Sequence, residues 1–206
     1  MRRGHLITLE GIDGAGKSSV ARHLVAALEA RGHRVACHAE PTDTWLGQAV
    51  RRALGEEISP WADAFLFLAD HAQHVVEVKA LLAAGTWVVC DRWSDSTLAY
   101  QGASLAEFVP DALERLRAME APIDLRPDLT LLFELDARTA ISRVAARGQS
   151  EKFEHEAFLE RVHANYARLA QDDGERFITI DASAPLVEVA AAAVAVVEAF
   201  AASQEA

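Results

Sequence analysis

The sequence predicts an α/β fold in three layers, a five-stranded parallel sheet with helices on both faces. Two observations carry this. Short β-rich apolar runs alternate with helix-periodic segments five times along the chain, the order that builds a parallel sheet covered by crossover helices. One of those runs, TWVVCD, is apolar throughout rather than alternating, as a strand buried on both faces must be. At 206 residues the chain is long enough for one sizeable core and short for two, and no repeat, linker or low-complexity stretch divides it.

The elements follow in order. HLITLEG is a short β-rich run stopped by a glycine, the first strand. KSSVARHLVAALEARG places Val20, Leu24, Val25 and Leu28 on one helical face, with Gly32 as its C-terminal cap. RVACHAEP is a second strand ended by Pro41, and WLGQAVRRAL a short amphipathic helix. A long helix starts with Ser59 as N-cap and Pro60 in its first turn and ends at Gly85. After TWVVCD come a loop and a helical segment, then the strand PDLTLLFELD and the helices ARTAISRVAARG and EHEAFLERVHANYARLAQDD. RFITID, a strand, and the Ala/Val-rich packing helix PLVEVAAAAVAVVEAFAAS close the order.

Composition excludes several functions. The net charge is −11 with no basic stripe, so a general nucleic-acid surface is not expected. An acidic chain that binds an anion must gather its positive charge locally. Cys37 and Cys90 have no metal-ligand spacing and read as buried free thiols in a reducing compartment. The apolar stretch between Arg3 and Glu10 is only LITL, and no run approaches a membrane span, so a cytoplasmic protein without a membrane partner is expected. His71 and His74 stand three apart without a third ligand, which gives no zinc site.

The chemistry begins at Gly11–Ser18, which matches G-x-x-x-x-G-K-[ST] between a strand and a helix. That context narrows the fold to the P-loop NTPase class. Residues Gly11, Ile12, Asp13, Gly14, Ala15, Gly16, Lys17, Ser18 and Ser19 form the expected ATP cradle, with backbone N–H groups and the helix N-terminus turned toward phosphate oxygens. Lys17 can reach the β- and γ-phosphates and Ser18 can hold Mg²⁺. Asp91, at the carboxyl end of its strand, can organise the same Mg²⁺; its alternative role is capping the next helix. Arg92 points a bidentate donor into the same crevice, as a second phosphate-bearing substrate requires.

These residues resemble the thymidylate kinase family of nucleoside-monophosphate kinases. The matching stretches are LEGIDGAGKSS, EPTDTWLGQAVRR, AFLFLADHAQHV, DRWSDSTLAYQG, PDLTLLFELD and EKFEHEAFLERVHANYARLA. They run in the family's order over nearly the whole chain. The resemblance implies transfer of the γ-phosphoryl group of ATP to the 5′-phosphate of dTMP with Mg²⁺, in a homodimer. It assigns Asp13 to the acceptor's sugar side and Arg51 and Arg92 to the acceptor phosphate. Phe67 matches the aromatic that stacks on thymine, Ser96, Thr97, Tyr100 and Gln101 line the nucleoside pocket, and Glu40 and Pro41 shape its wall.

The chain also departs from the pattern. His71 stands where the family usually has an Arg that donates to thymine O4; a hydrogen bond from such a charged donor contributes about 1.5–3 kcal/mol, so thymine discrimination rests on a weaker group. Ala39 replaces an Arg that many bacterial members carry. The P-loop has Gly14 and Ala15 and no Arg, which moves the expected catalytic cation into a lid near residues 143–155. There Arg147 is the first choice and Arg143 the second, with Lys152 nearby. Two alternatives stay open from residues alone: a kinase for another or a broader set of (deoxy)nucleotides, and a catalytically silent P-loop binding module.

Overall fold

A computed structural model describes residues 3–123, 125–146 and 156–205. Strand β1 (Leu6–Glu10) leads through the glycine loop into α1 (Lys17–Ala30), followed by β2 (Val35–Ala39), α2 (Trp45–Leu54) and α3 (Pro60–Ala83). Next come β3 (Trp87–Asp91), α4 (Ser94–Leu105), α5 (Ala112–Glu120) and β4 (Leu129–Glu134). Helices α6 (Ala137–Ala145) and α7 (Glu156–Asp172), strand β5 (Phe177–Asp181) and helix α8 (Leu186–Glu205) complete the order. The segment after TWVVCD, read only as loop and helix, is two helices, because Pro110 and a left-handed Asp111 interrupt the turn between them.

The expected parallel sheet is borne out, with strand order β2-β3-β1-β4-β5. Central β1 pairs in parallel with β3 and β4, and its register sets Leu9 beside Asp91 and Glu10 beside Leu132. The chain fills one side of β1 first and the other side afterwards, and ligands collect where the strand ends part. Helices α1 and α8 pack together on one side; α3, α4, α5 and α7 form the other layer. All five residues of β1 are buried, including Thr8, whose hydroxyl pairs with that of Thr130 at 2.9 Å. Gly32 and Gly85 adopt left-handed φ angles of 86° and 77° just beyond α1 and α3, as glycines past a helix end do. Pro60 opens α3 as expected, but the Ser59 side chain makes no capping bond.

Two expectations from the sequence need correction. Cys90 is buried, but Cys37 is exposed. Its strand β2 is the sheet edge and its residues alternate between half-buried and exposed, so an apolar run there does not guarantee cover on both faces. The second concerns membrane spans: Leu186–Gln204 is long and apolar enough to cross one by length and composition. Alanine and valine supply that apolarity, while Val189, Ala190, Ala193, Val197 and Ala201 form a buried face in the core.

Candidate active site

The glycine loop leaves β1 at Gly11, whose φ of 130° no side chain adopts readily. A Cβ there would stand 2.5 Å from the Phe133 carbonyl oxygen of β4, and one on Gly14 (φ 86°) would stand 2.8 Å from the Ala140 carbonyl oxygen of α6. Ile12 and Ala15 point into the core and pin the loop from beneath. Gly16 is the left-handed N-cap of α1, with no side chain to cover the helix end. Lys17 is buried, and its Nζ donates to the Gly11 and Ile12 carbonyls, each at 2.9 Å. Burial and the nearby Arg92 pull its pKa down to about 8, against the opposing pull of Asp13 and Asp91.

Ser18 and Asp91 meet directly, the hydroxyl donating to Oδ2. The other carboxylate oxygen, Oδ1, is buried without a hydrogen-bond partner among the described residues. Helix α4 starts after Trp93 with no side-chain cap, so Asp91 does not serve that helix. A hydroxyl beside a carboxylate with an unmet oxygen suits a hard divalent cation.

Opposite the loop stands Arg92, which is left-handed at φ 74°. That conformation costs a non-glycine residue about 1–2 kcal/mol, so surrounding bonds must hold it. Its N–H donates to Leu9 O at 3.0 Å. Its guanidinium donates to Asp13 Oδ1 at 2.5 Å, Ser96 Oγ at 2.9 Å and Tyr100 OH at 3.4 Å, and lies 5.0 Å from the Tyr100 ring centre. Tyr100 OH donates in turn to Asp13 Oδ2 at 3.3 Å. Asp13 is therefore an anchor for a cation across the cleft, and the acid in the phosphate loop is electrostatically matched.

A cleft of about 330 Å³ joins the two halves, lined by Asp13, Lys17, Ser18, Glu40, Arg51 and Arg92, among others. Arg51, on α2, donates to the carbonyls of Thr42 (2.5 Å) and Pro41 (2.7 Å) and to Asp43 Oδ1 (3.0 Å). Glu40 Oε1 lies 2.8 Å from Nδ1 of both His71 and His74. Burial works against the Glu40 carboxylate, yet the two imidazoles hold its pKa below the usual range. Burial likewise opposes charge on His71, but Glu40 and then Glu120 raise its pKa. His71 is 1% exposed, its ring edge on Trp93, and it is not among the residues lining the cleft. Phe67 is half-buried on α3. On α4, Thr97 and Gln101 are buried, and both amide atoms of Gln101 lack a hydrogen-bond partner among the described residues. Arg143 donates to the carbonyls of Ala182 (2.8 Å) and Ser183 (3.1 Å). Arg147, with the rest of the expected lid from residue 147 to 155, lies outside the described residues.

Two residues of this arrangement, Asp70 and Glu10, were not singled out from the sequence. Asp70 accepts from Thr42 N (2.8 Å) and Thr42 Oγ1 (2.5 Å), tying α3 to the Glu40 loop. Glu10 is fully buried; its Oε1 accepts from Trp93 N at 2.8 Å, and its Oε2 lies 2.5 Å from Ser96 Oγ and 3.0 Å from Tyr166 OH. The available signal was a carboxylic acid closing an otherwise apolar strand, since a buried acid implies partners.

Burial, with Asp95 adding to it, pushes the Glu10 carboxyl up to about 8, against Ser96, Arg92 and Tyr166. The folded chain therefore holds a proton there that the unfolded chain, near 4.5, releases. Between those values the native state binds more protons, so this group makes stability fall as pH rises, by up to about 1.4 kcal/mol per unit, and then level off above 8. Urea midpoints from pH 5 to 8 should decline less steeply for Glu10→Gln than for the parent, and equal slopes would refute the shift.

The chain matches the thymidylate kinase family over residues 9–193. The chain belongs to the thymidylate kinase family. A protein of Methanosarcina mazei named a probable thymidylate kinase is 44% identical over 189 residues, spanning 91% of this chain and 92% of its own length. Another so named, from Halobacterium salinarum, is 46% identical over 180 residues, 86% of this chain and 87% of its own. One from Methanococcoides burtonii is 39% identical over 192 residues, 91% and 92% of the two chains. The thymidylate kinases are phosphotransferases, and membership makes this chain a kinase. The family model spans both halves of the cleft, from the end of β1 to within α8.

Proposed function

We propose that the chain transfers the γ-phosphoryl group of ATP to the 5′-phosphate of dTMP, giving dTDP. The observation that carries the reading is one cleft lined by both a phosphate-loop lysine and two further arginines, Arg51 and Arg92. A single nucleotide does not need both sets; a donor and a phosphorylated acceptor do. The acceptor's phosphate oxygen is already a nucleophile, so the protein's task is alignment and charge balance. Lys17 neutralises the donor phosphates, and Arg92 with Arg51 aligns the acceptor. Ser18 and Asp91 would hold Mg²⁺, which when bound supplies charge neutralisation at the donor phosphates.

The Gln101 amide, which has no hydrogen-bond partner among the described residues, supports a nucleoside beside α4, with Phe67 stacking on its base and Ser96, Thr97, Tyr100, Glu40 and Pro41 around it. In this reading His71 acts on the base side through the Glu40 wall. Arg143 is engaged by the 182–183 carbonyls, which supports Arg147 as the lid cation. A coupled assay with Mg²⁺–ATP against dTMP, dUMP, dCMP, dGMP and UMP tests the assignment. Preference for dTMP supports it. Comparable rates on several acceptors would replace it with a broader nucleotide kinase, and no transfer to any would overturn it.

We further propose a cytoplasmic homodimer that uses neither nucleic acid nor a membrane. Phe65 and Val76 are exposed on one long helix, α3, an apolar face that a second copy would cover. Light scattering should give twice the chain mass; a monomer would remove the dimer from the reading.

A further inference from the structure

Glu10 sits where β1 hands over to the phosphate loop, a position at which an apolar side chain would satisfy the core. A buried carboxyl group there must instead be held by hydrogen bonds. All its partners surround one residue. Trp93 N, which donates to Oε1 at 2.8 Å, is the next backbone group after left-handed Arg92. Ser96 Oγ, 2.5 Å from Oε2, is also the acceptor for Arg92 Nη1 at 2.9 Å. Tyr166 OH, from α7, closes the triangle at 3.0 Å from Glu10 and 2.9 Å from Ser96.

Resting on the role proposed above for Arg92, we propose that Glu10 is a positioning residue for the acceptor: it fixes the Arg92 backbone through Trp93 and its guanidinium through Ser96. Arg92 is then gripped from both ends of the same segment, by Glu10 before the glycine loop and by Asp13 within it. Nη2 answers to Asp13 and Nη1, through Ser96, to Glu10. Glu10 makes no hydrogen bond to Lys17, Ser18 or Asp91 among the described residues, so its hydrogen bonds hold the acceptor side of the cleft and not the donor side.

Two variants test this. Glu10→Asp withdraws the carboxyl group by one methylene, so that it cannot span Trp93 N and Ser96 Oγ together. Glu10→Gln keeps the length and the oxygen that accepts from Trp93 N, but its NH₂ group can only donate toward Ser96 and Tyr166, where the protonated carboxyl can donate to one and accept from the other. The expected results are an increase in KM for dTMP of about 10-fold for Asp and about 3-fold for Gln, with KM for ATP within about 2-fold of the parent. In an Arg92→Ala background neither substitution should change the dTMP constant further, because both act through the group already removed. Equal shifts for ATP and dTMP, or effects that persist in the Arg92→Ala background, would mean a merely structural role. An unchanged dTMP constant in either folded variant would also overturn the proposal. If Arg92→Ala itself leaves the dTMP constant unaltered, the acceptor role of Arg92 fails and this inference with it.

Discussion

Arg92→Ala is expected to lower kcat/KM for dTMP by about 10³-fold while the affinity for ATP changes by less than about 3-fold. Removing one aligned donor at a transferring group typically costs about 10²–10³ in rate, and Arg92 also holds Tyr100 and Ser96 in place. The donor is spared because Lys17 does not depend on the guanidinium for support: its Nζ is bound to loop carbonyls, and Ile12 and Ala15 hold the loop from the core even when Asp13 loses its partner. Loss of Arg92 even relieves part of the repulsion that lowers the Lys17 pKa. Titration of ATP against both proteins, beside the coupled assay, separates the two halves of the cleft. A parallel loss of ATP binding would show that Arg92 supports the donor loop instead.

Gly11→Ala should damage the fold strongly. Alanine would have to adopt φ near 130°, and its methyl carbon would begin 2.5 Å from a carbonyl oxygen of β4. Backbone strain of this kind costs about 1–3 kcal/mol and overpacking against main chain about the same again, together about 4 kcal/mol. For a chain of this length each kcal/mol moves Tm by about 2–4 °C, so a fall of about 10 °C is expected in a thermal melt. A fall below about 2 °C would mean that the loop shifts freely, and that the close approach of β1 and β4 is not what demands glycine.

Much of this was legible in the residues, for identifiable reasons. TWVVCD announced a buried parallel strand because no alternation interrupts it, HLITLEG announced one as a short β-rich run stopped by a glycine, and G-x-x-x-x-G-K-S carries its own geometry. Less legible was anything that depends on position in the sheet. Cys37 belongs to an apolar run, but only the strand order reveals that β2 is an edge. Glu10 looked like the end of a strand until register and α4 packing surrounded it with Trp93, Ser96 and Tyr166. His71 was read as a base-side donor; the structure gives its Nδ1 to Glu40, a pairing across 31 positions that no local pattern encodes. The pairing of Asp13 with Arg92 spans 79 positions and accounts for an acid inside an anion-binding loop.

The placement of charge also bears on how nucleotides arrive. The chain carries a net −11, yet Lys17 is only 5% exposed and the Arg92 side chain only 16%. At 10 mM salt, where the Debye length is about 30 Å, an approaching nucleotide meets the repulsive field of the whole surface before the attraction of the cleft. Capture is therefore short-ranged, and added salt should at first accelerate encounter by screening the surface before it weakens the bound complex. A stopped-flow association rate that climbs with ionic strength from about 10 mM, while dissociation climbs too, would be the kinetic trace of cations kept below an acidic surface.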